Sequence, residues 1–545
     1  MNSPEYANMY QPETSYWWYQ TLHHLAKEYI VRNTKSKSDI IFDAGCGTRR
    51  MLEMFVNSSG IDYSKEAISF ARQLFFYNEK RFNLYTIILG LFVLAYIVIT
   101  YLFPYISPDS GFYLKIANDI SNGASFFIDM NVAYTPMGMY LYSWLFMLFP
   151  HPQFWILNTF VIVFYVINNI LLYRILTSFK LNRQLRIFLV VVNFLGFYIL
   201  QGTHILLEQF VLLFQLLSIM CLLKWDTSKW YWLPFSGFAC FFAFFSKQYG
   251  LFILPAIGFW LFIRSQSIGS FAKFASLWFL GFLLPTLFVF SIFSVETAVQ
   301  VKELIQKLLG INVLSGDEVI TGVNYTFNRF VESVLNFPIK SPVVIMLIVI
   351  TANKKFRLLD HRAIFLILLI LGGFAQLLFA NYAHYFQLIL PYCILAVGYF
   401  YQRQPDFHKK QLLKILNILV VLTILSSGWW LQKDFRILKY KTLEQTTNKE
   451  ILNNILPEGS KVYLEGILPS YYYICMFHSP EPQKLGYRFP EELTLERISR
   501  SMPTGTYIIT KLGTEKHPAF VNKFKLIQQL ELLKGECLIL QKIVN

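Results

Sequence analysis

The chain has 545 residues, of which 55% are hydrophobic, 18% aromatic and only 15% charged. A soluble domain carries about 25% charged residues, so an ordinary globular enzyme, a disordered chain and a secreted disulfide scaffold are all excluded. What remains is a polytopic membrane protein with soluble ends, whose net charge of +15 has to be placed on the chain before it is read as affinity for nucleic acid.

Residues 1–83 hold no apolar core of signal-peptide type. Within them, 39–77 reads as strand, turn, helix, strand and helix. Asp39-Ile-Ile-Phe-Asp43-Ala-Gly45-Cys-Gly47-Thr is a strand entering a glycine turn, and Ser59-Gly-Ile-Asp62-Tyr-Ser is a shorter strand ending in an acid. Glycines at such a turn let the backbone approach a ligand, and an acid after the second strand can hold ribose hydroxyls. This stretch, with Tyr16-Trp-Trp-Tyr before it, resembles the start of a class I S-adenosylmethionine methyltransferase. The resemblance implies that Gly45 and Gly47 line the methionine end of the cofactor and Asp62 its ribose, with Asp43 on the strand. Arg49 and Arg50 replace the usual further glycine, and the first apolar run begins near residue 84, before most of that fold could form. The segment therefore reads as a truncated, Rossmann-like remnant, and S-adenosylmethionine binding is not expected.

A membrane span needs roughly 20 apolar residues. Such runs lie near 84–106, 153–173, 185–202, 205–223, 230–246, 249–263, 274–294, 339–352, 363–380, 384–401 and 412–432, about eleven spans. With the N-terminus in the cytoplasm, the cytoplasmic loops hold four Lys or Arg in 174–186, two each in 224–229 and 264–273, four in 353–362 and four in 402–414, sixteen in all. The short outside turns hold only Lys247. Cytoplasmic loops carry the positive excess, so the charge is chiefly an orientation signal and no nucleic-acid partner is expected. Outside remain 107–152 and 295–338, read as helices on the bilayer surface, and 433–545, read as a small α/β domain. Its expected strands are Lys461–Gly466, Tyr471–Phe477, Thr506–Lys511 and Glu536–Ile543, and its helices Asn448–Leu456 and Glu491–Met502. Cys475 and Cys537 could pair there in an oxidising compartment. The domains are thus 1–83, 84–432 and 433–545.

Ionisable groups at span edges are costly, about 2.5–3.5 kcal/mol at mid-bilayer, so those on one face mark a candidate site. They are Asp109, Asp129, His204, Glu208, Lys247 and His384. Asp109 is also a natural helix cap. Lys247 is the lone cation of its turn, placed to meet a phosphate that gains charge as its bond breaks, or simply to snorkel. His204 and Glu208 read as a local pair at a span entrance.

The order of motifs is one span, then Pro108-Asp109-Ser-Gly-Phe-Tyr-Leu-Lys-Ile-Ala, Phe126-Phe-Ile-Asp129-Met and Tyr134-Thr-Pro136-Met-Gly-Met-Tyr140, then Ser246-Lys247-Gln248-Tyr-Gly, then Asn381-Tyr-Ala-His384-Tyr385-Phe-Gln-Leu-Ile-Leu-Pro391. Over about 84–432 this resembles the GT-C glycosyltransferases, in the branch of the protein O-mannosyltransferases and lipid A aminoarabinose transferases. The resemblance implies a helical membrane enzyme that moves a sugar from a polyprenyl-phosphate donor to an acceptor hydroxyl on protein, lipid or glycan, with inversion. Asp109 would be the general base, made more effective by partial desolvation. Asp129 would hold sugar or acceptor, and Lys247, His384 and Tyr385 would face the lipid phosphate. No cofactor is expected, although some GT-C relatives use a divalent cation. The soluble tail and the methyltransferase-like fragment point to a bacterial inner membrane. A transporter or flippase of lipid-linked sugars, or a polymerase or ligase, is the alternative. Transporters more often show repeats and mid-span charges.

Overall fold

The computed structural model describes residues 21, 23–28, 30, 41–44, 58–61, 65–124, 126, 135–150, 152–179, 181, 183–225, 229–292, 331, 334–335, 337, 341, 360–378, 383–403, 406–456, 460–464, 475, 500, 502, 504–511, 514–516, 518, 520–532 and 535–543. Two short parallel strands, β1 (Ile41–Ala44) and β2 (Ser58–Ile61), pair near the N-terminus. Helix α1 (Lys65–Leu102) then runs without a break into the first apolar run. It crosses the boundary expected at 83/84, and residues 65–83 contain neither glycine nor proline. With nothing to stop it, one helix carries the N-terminal segment into the bundle.

The bundle continues as α2 (Pro108–Ser121), α3 (Met137–Leu148), α4 (Phe154–Ser178), α5 (Arg183–Phe197), α6 (Glu208–Trp225), α7 (Trp232–Ser246), α8 (Leu254–Arg264), α9 (Ile268–Ile292), α10 (His361–Ala375), α11 (Phe386–Arg403) and α12 (Asp406–Ile455). Among the described residues six helices are long and apolar enough to cross a membrane: Leu84–Leu102, Phe154–Ser178, Arg183–Gly202, Glu208–Trp225, Ile268–Val289 and Ala383–Arg403. They match six of the expected spans. Three others, at Trp232–Ser246, Gln248–Arg264 and His361–Ala375, are shorter apolar helices. Span 412–432 lies within α12, and 339–352, apart from Ser341, lies outside the described residues.

The outer faces carry Leu84, Ile87, Leu91, Leu94 and Val98 on α1 and Leu280, Leu284, Leu287 and Phe288 on α9, all exposed. An apolar stripe of this size marks a lipid-facing surface. Inside, α11 is buried along nearly its whole length and forms the hub of the core. Small residues bring helices close, as expected where lipid supplies no hydrophobic drive. A Cβ on Gly237 of α7 would lie 1.9 Å from the Trp278 carbonyl of α9, and one on Gly281 would lie 1.9 Å from the Pro234 carbonyl.

The expected surface helices of 107–152 are present as α2 and α3, but α2 is not superficial, since residues 110–117 are all buried. Helix α3 does expose Trp144, Met147 and Leu148. Of the loop expected at 295–338, the described residues are Val331, Val334, Leu335 and Phe337. Phe337 is the buried one of these, and its ring stacks on Phe386 at 4.4 Å.

Helix α12 has 50 residues, about 75 Å at 1.5 Å each. It runs through the boundary expected at 432/433, because no glycine or proline follows Gly428 before its end. It leads to a four-stranded sheet of order β3-β4-β6-β5, formed by β3 (Val462–Leu464), β4 (Tyr507–Lys511), β5 (Phe524–Leu532) and β6 (Gly535–Lys542). The β3–β4 pair is parallel and the other pairs are antiparallel. Three strands fall on expected positions, and β5 is new. The expected strand 471–477 and helix 491–502 lie almost wholly outside the described residues. Cys475 is a free, buried thiol pushed up to about 12 by burial, and the side chain of Cys537 lies outside the described residues.

Candidate active site

Three helices are interrupted at the same end of the bundle. A π turn, Tyr198–Gly202, follows α5. A 3-10 turn, Gln248–Ile253, separates α7 from α8, and another, Ala383–Tyr385, precedes α11. Irregular backbone is tolerated in a membrane only where protein or a wet cavity satisfies its polar groups. Buried glutamines do that here. Gln387 Nε2 donates to Leu200 O at 2.8 Å, Gln376 Nε2 to Tyr385 O at 3.1 Å, and Gln215 Nε2 to Gly250 O at 3.3 Å while its Oε1 accepts from Tyr392 at 2.8 Å.

These turns deliver a charged cluster. Lys247, in extended backbone just after α7, places Nζ 2.7 Å from Glu208 Oε1, and both side chains are 0% exposed. Glu208 opens α6, where a carboxylate is favoured by the helix dipole, and its second oxygen accepts from Leu207 N–H at 3.1 Å. His384 Nε2 lies 3.7 Å from the same Oε1. Its Nδ1 donates to Gln201 Oε1 at 3.2 Å, since that amide oxygen only accepts. Gln201 itself adopts φ 68°, the left-handed region. Tyr385 places its ring centroid 4.6 Å from Lys247 Nζ, with Tyr249 at 5.7 Å and Tyr113 at 5.9 Å, all within cation–π range.

Asp109 stands at the rim. It is exposed, in the first turn of α2 after the capping Ser107, and its charge reaches His384. Ser110 Oγ accepts from Ile205 N–H at 3.1 Å, tying α2 to the 203–207 turn. His204 in that turn packs edge-on against Tyr105 at 5.8 Å. Burial, with His384 adding, pushes its imidazole down to about 4.

Six residues expected from the sequence (Asp109, His204, Glu208, Lys247, His384 and Tyr385) are therefore brought to one end of the bundle. Three readings change. Lys247 is the lone cation of its turn, but Glu208 neutralises it. Glu208 pairs with Lys247 and His384 rather than His204, because residues 203–207 are not helical and the i, i+4 geometry never forms. The partial desolvation expected at Asp109 is absent in the chain alone. Asp129 lies outside the described residues, as do Gly45, Gly47 and Asp62, while Asp43 lies on β1. Sequence reasoning misses Tyr113 and Tyr249 around Lys247, and Lys115, which is 4% exposed and ion-paired with Asp119 at 2.5 Å. Tyr249 is within reach, two residues after Lys247 in the quoted motif. Lys115 is signalled by falling amid the apolar face of α2.

Among the described residues no three His, Cys, Asp or Glu side chains gather as metal ligands. An apolar cavity of about 430 Å³ between α8 and α9, lined by Leu254, Ile257, Leu261, Phe271, Trp278 and Phe279, contains none of the charged groups. Chemically, the arrangement is an exposed carboxylate at the same end of the bundle as an enclosed cation held in an aromatic shell.

No protein-family model matches the chain, and no curated protein matches it. Solved structures do. ArnT from Cupriavidus metallidurans in the apo state aligns with TM-score 0.56 at 9% identity, and ArnT bound to undecaprenyl phosphate with 0.53 at 10%. Each alignment covers 83% of this chain and 97% of ArnT. At that identity the likeness is one of fold: the chain is an integral membrane protein with the architecture of ArnT.

Proposed function

We propose that the protein is a membrane glycosyltransferase that moves a sugar from a polyprenyl-phosphate donor to an acceptor hydroxyl of a protein, lipid or glycan. The observation that carries this reading is the shared fold with ArnT, a GT-C transferase solved with undecaprenyl phosphate bound, together with the charged cluster at one end of the bundle. That end faces the extracytoplasmic side, by the distribution of Lys and Arg, and the membrane is a bacterial inner membrane.

In the reaction the Asp109 carboxylate takes the proton of the acceptor hydroxyl as its oxygen attacks the anomeric carbon from the face opposite the phosphate. The bond between that carbon and the phosphate oxygen breaks, its electron pair stays on the phosphate, and polyprenyl phosphate leaves. The configuration inverts. Exposed when the chain is alone, Asp109 loses water when donor and acceptor cover the rim, which strengthens it as a base. Lys247 carries the positive charge nearest the leaving phosphate, which competes with Glu208 for it, while His384 and Tyr385 line the approach. Asp129 holds sugar or acceptor.

The test uses purified protein in liposomes with a panel of polyprenyl-phosphate sugars, following release of free polyprenyl phosphate. Wild type should release it and Asp109→Asn should lose about 10²–10⁴ in rate with expression unchanged. Release by both proteins moves the base elsewhere. Scrambling of the lipid-linked sugar without release would make the protein a transporter.

A further inference from the structure

The segment that delivers Asp109 is held from the far end of the sequence. Between α1 and α2 the chain runs through residues 103–107 without regular structure. Within it, the main chain of Ile106 is gripped at both polar groups by one side chain: Ile106 N–H donates to Gln445 Oε1 at 3.1 Å, and Gln445 Nε2 donates to Ile106 O at 2.6 Å. Gln445 belongs to α12, 339 residues away, and is 6% exposed, as Ile106 is 5% exposed. A primary amide that both donates to and accepts from one residue imitates a strand partner. It fixes that residue's position and orientation together, where a single hydrogen bond would allow rotation. Ser107 follows at once and caps α2, its Oγ accepting from Ser110 N–H at 3.2 Å, and Asp109 sits in that first turn.

We infer that Gln445 is a positioning residue for Asp109, its bidentate grip on Ile106 setting where the carboxylate stands at the rim. The inference rests on the reading of Asp109 as base. Other contacts to α12 lie alongside it, the Phe103 ring edge-on against Phe435 at 5.2 Å and the Tyr96 hydroxyl donating to Asp434 at 3.2 Å, but neither holds the Ile106 main chain. Since α12 continues towards the C-terminal sheet, the grip also joins that sheet to the base through a single helix.

The experiment compares full-length wild type, Gln445→Leu and Tyr96→Phe in liposomes, by turnover and by hydrogen–deuterium exchange over residues 103–110. Gln445→Leu should lower kcat about 10- to 100-fold, the scale expected when a reacting group is misplaced by about 1 Å, with the donor KM unchanged. Exchange at Ile106 should speed up by roughly tenfold or more, the factor that about 1.4 kcal/mol of lost protection gives. Tyr96→Phe should change neither. A kcat within about twofold of wild type, a rise in KM alone, or unaltered exchange at 103–110 overturns the inference. Should Gln445→Leu fail to fold, Gln445→Glu keeps the size and the acceptor while removing the donor, and the same two readouts apply. If wild type releases no polyprenyl phosphate from any donor, the proposed function fails, and exchange alone decides whether Gln445 orders the segment.

Discussion

The two ends of the bundle each hold an acid, a base and a tyrosine, in opposite settings. At one end Glu208, Lys247 and Tyr385 are sealed, with both charges 0% exposed. At the other, Asp360 accepts from Arg403 Nη2 at 2.7 Å and from the Tyr399 hydroxyl at 2.5 Å, with the charged side chains 24% and 45% exposed. The open triad is a staple: Asp360 also caps α10, accepting from Ala363 N–H at 2.9 Å, and so ties the start of α10 to the end of α11. The sealed triad also joins helix ends, the start of α6 to the end of α7, but does so with both charges out of water. Taking two charges out of water costs several kcal/mol each, and such a cost is understandable where the charge has work to do on a ligand.

The largest test of that contrast is Glu208→Ala. It leaves the Lys247 ammonium buried without its acid, and should destabilise the fold by about 3–5 kcal/mol, read as a drop in thermal midpoint in detergent. The double substitution Glu208→Gln with Lys247→Met should recover most of that loss, because a buried ion pair can be replaced by neutral groups of similar size at little net cost. If stability returns but polyprenyl phosphate release does not, the pair serves ligand chemistry. If release returns as well, the sealed end is only another staple.

Glycines sharpen the comparison next. A Cβ on Gly372 of α10 would stand 2.0 Å from the Phe252 carbonyl of the 3-10 turn that carries Tyr249, whereas one on Gly398 of α11 would meet only side-chain tips, Leu181 Cδ1 at 2.8 Å and Leu176 Cδ2 at 3.1 Å. Backbone cannot step aside as a leucine can. Gly372→Ala should therefore cost about 1–3 kcal/mol, the overpacking range, and Gly398→Ala less, by the same unfolding measurement.

What is legible in the sequence follows the same division. Apolar runs are local, so six helices that can cross a membrane fall on expected runs, and counting Lys and Arg is enough to group Asp109, Glu208, Lys247 and His384. Partnership is not local. Glu208 and Lys247 are 39 residues apart, and Gln445 and Ile106 are 339 apart, distances across which composition and spacing carry no signal. Helix continuity through 83/84 and 432/433 is hidden for a different reason: charge there resembles a boundary, but no glycine or proline enforces one. Strand β5 escapes because a bulge between Leu526 and Gln528 breaks its alternation and residues 525–529 are all exposed.

A smaller effect separates the ends by pH. His204 sits at about 4 in the folded chain, against an ordinary value near 6.5, so unfolding takes up a proton between those values. The His204 contribution to stability is full above about pH 6.5 and drains as the pH falls towards 4. The thermal midpoint should drop across that window, and His204→Gln should flatten the drop. An unchanged slope in that variant would show that the ring is hydrated in the membrane-embedded protein.

The smallest effect belongs to the open end. Arg403 is half-exposed, and its pair with Asp360 is of the kind worth about 0–1 kcal/mol. Arg403→Ala should lower the midpoint by only a degree or two, part of it from losing the guanidinium over the Tyr399 ring at 5.1 Å. Raising the salt to about 1 M, where the screening length falls to roughly 3 Å, should erase the electrostatic part of the difference between Arg403→Ala and wild type. The same salt should leave the Glu208→Ala loss intact, because ions cannot enter between groups that water does not reach. A Glu208→Ala loss that shrinks with salt would mean the sealed end opens to solvent, and the two triads would then differ in degree rather than in kind.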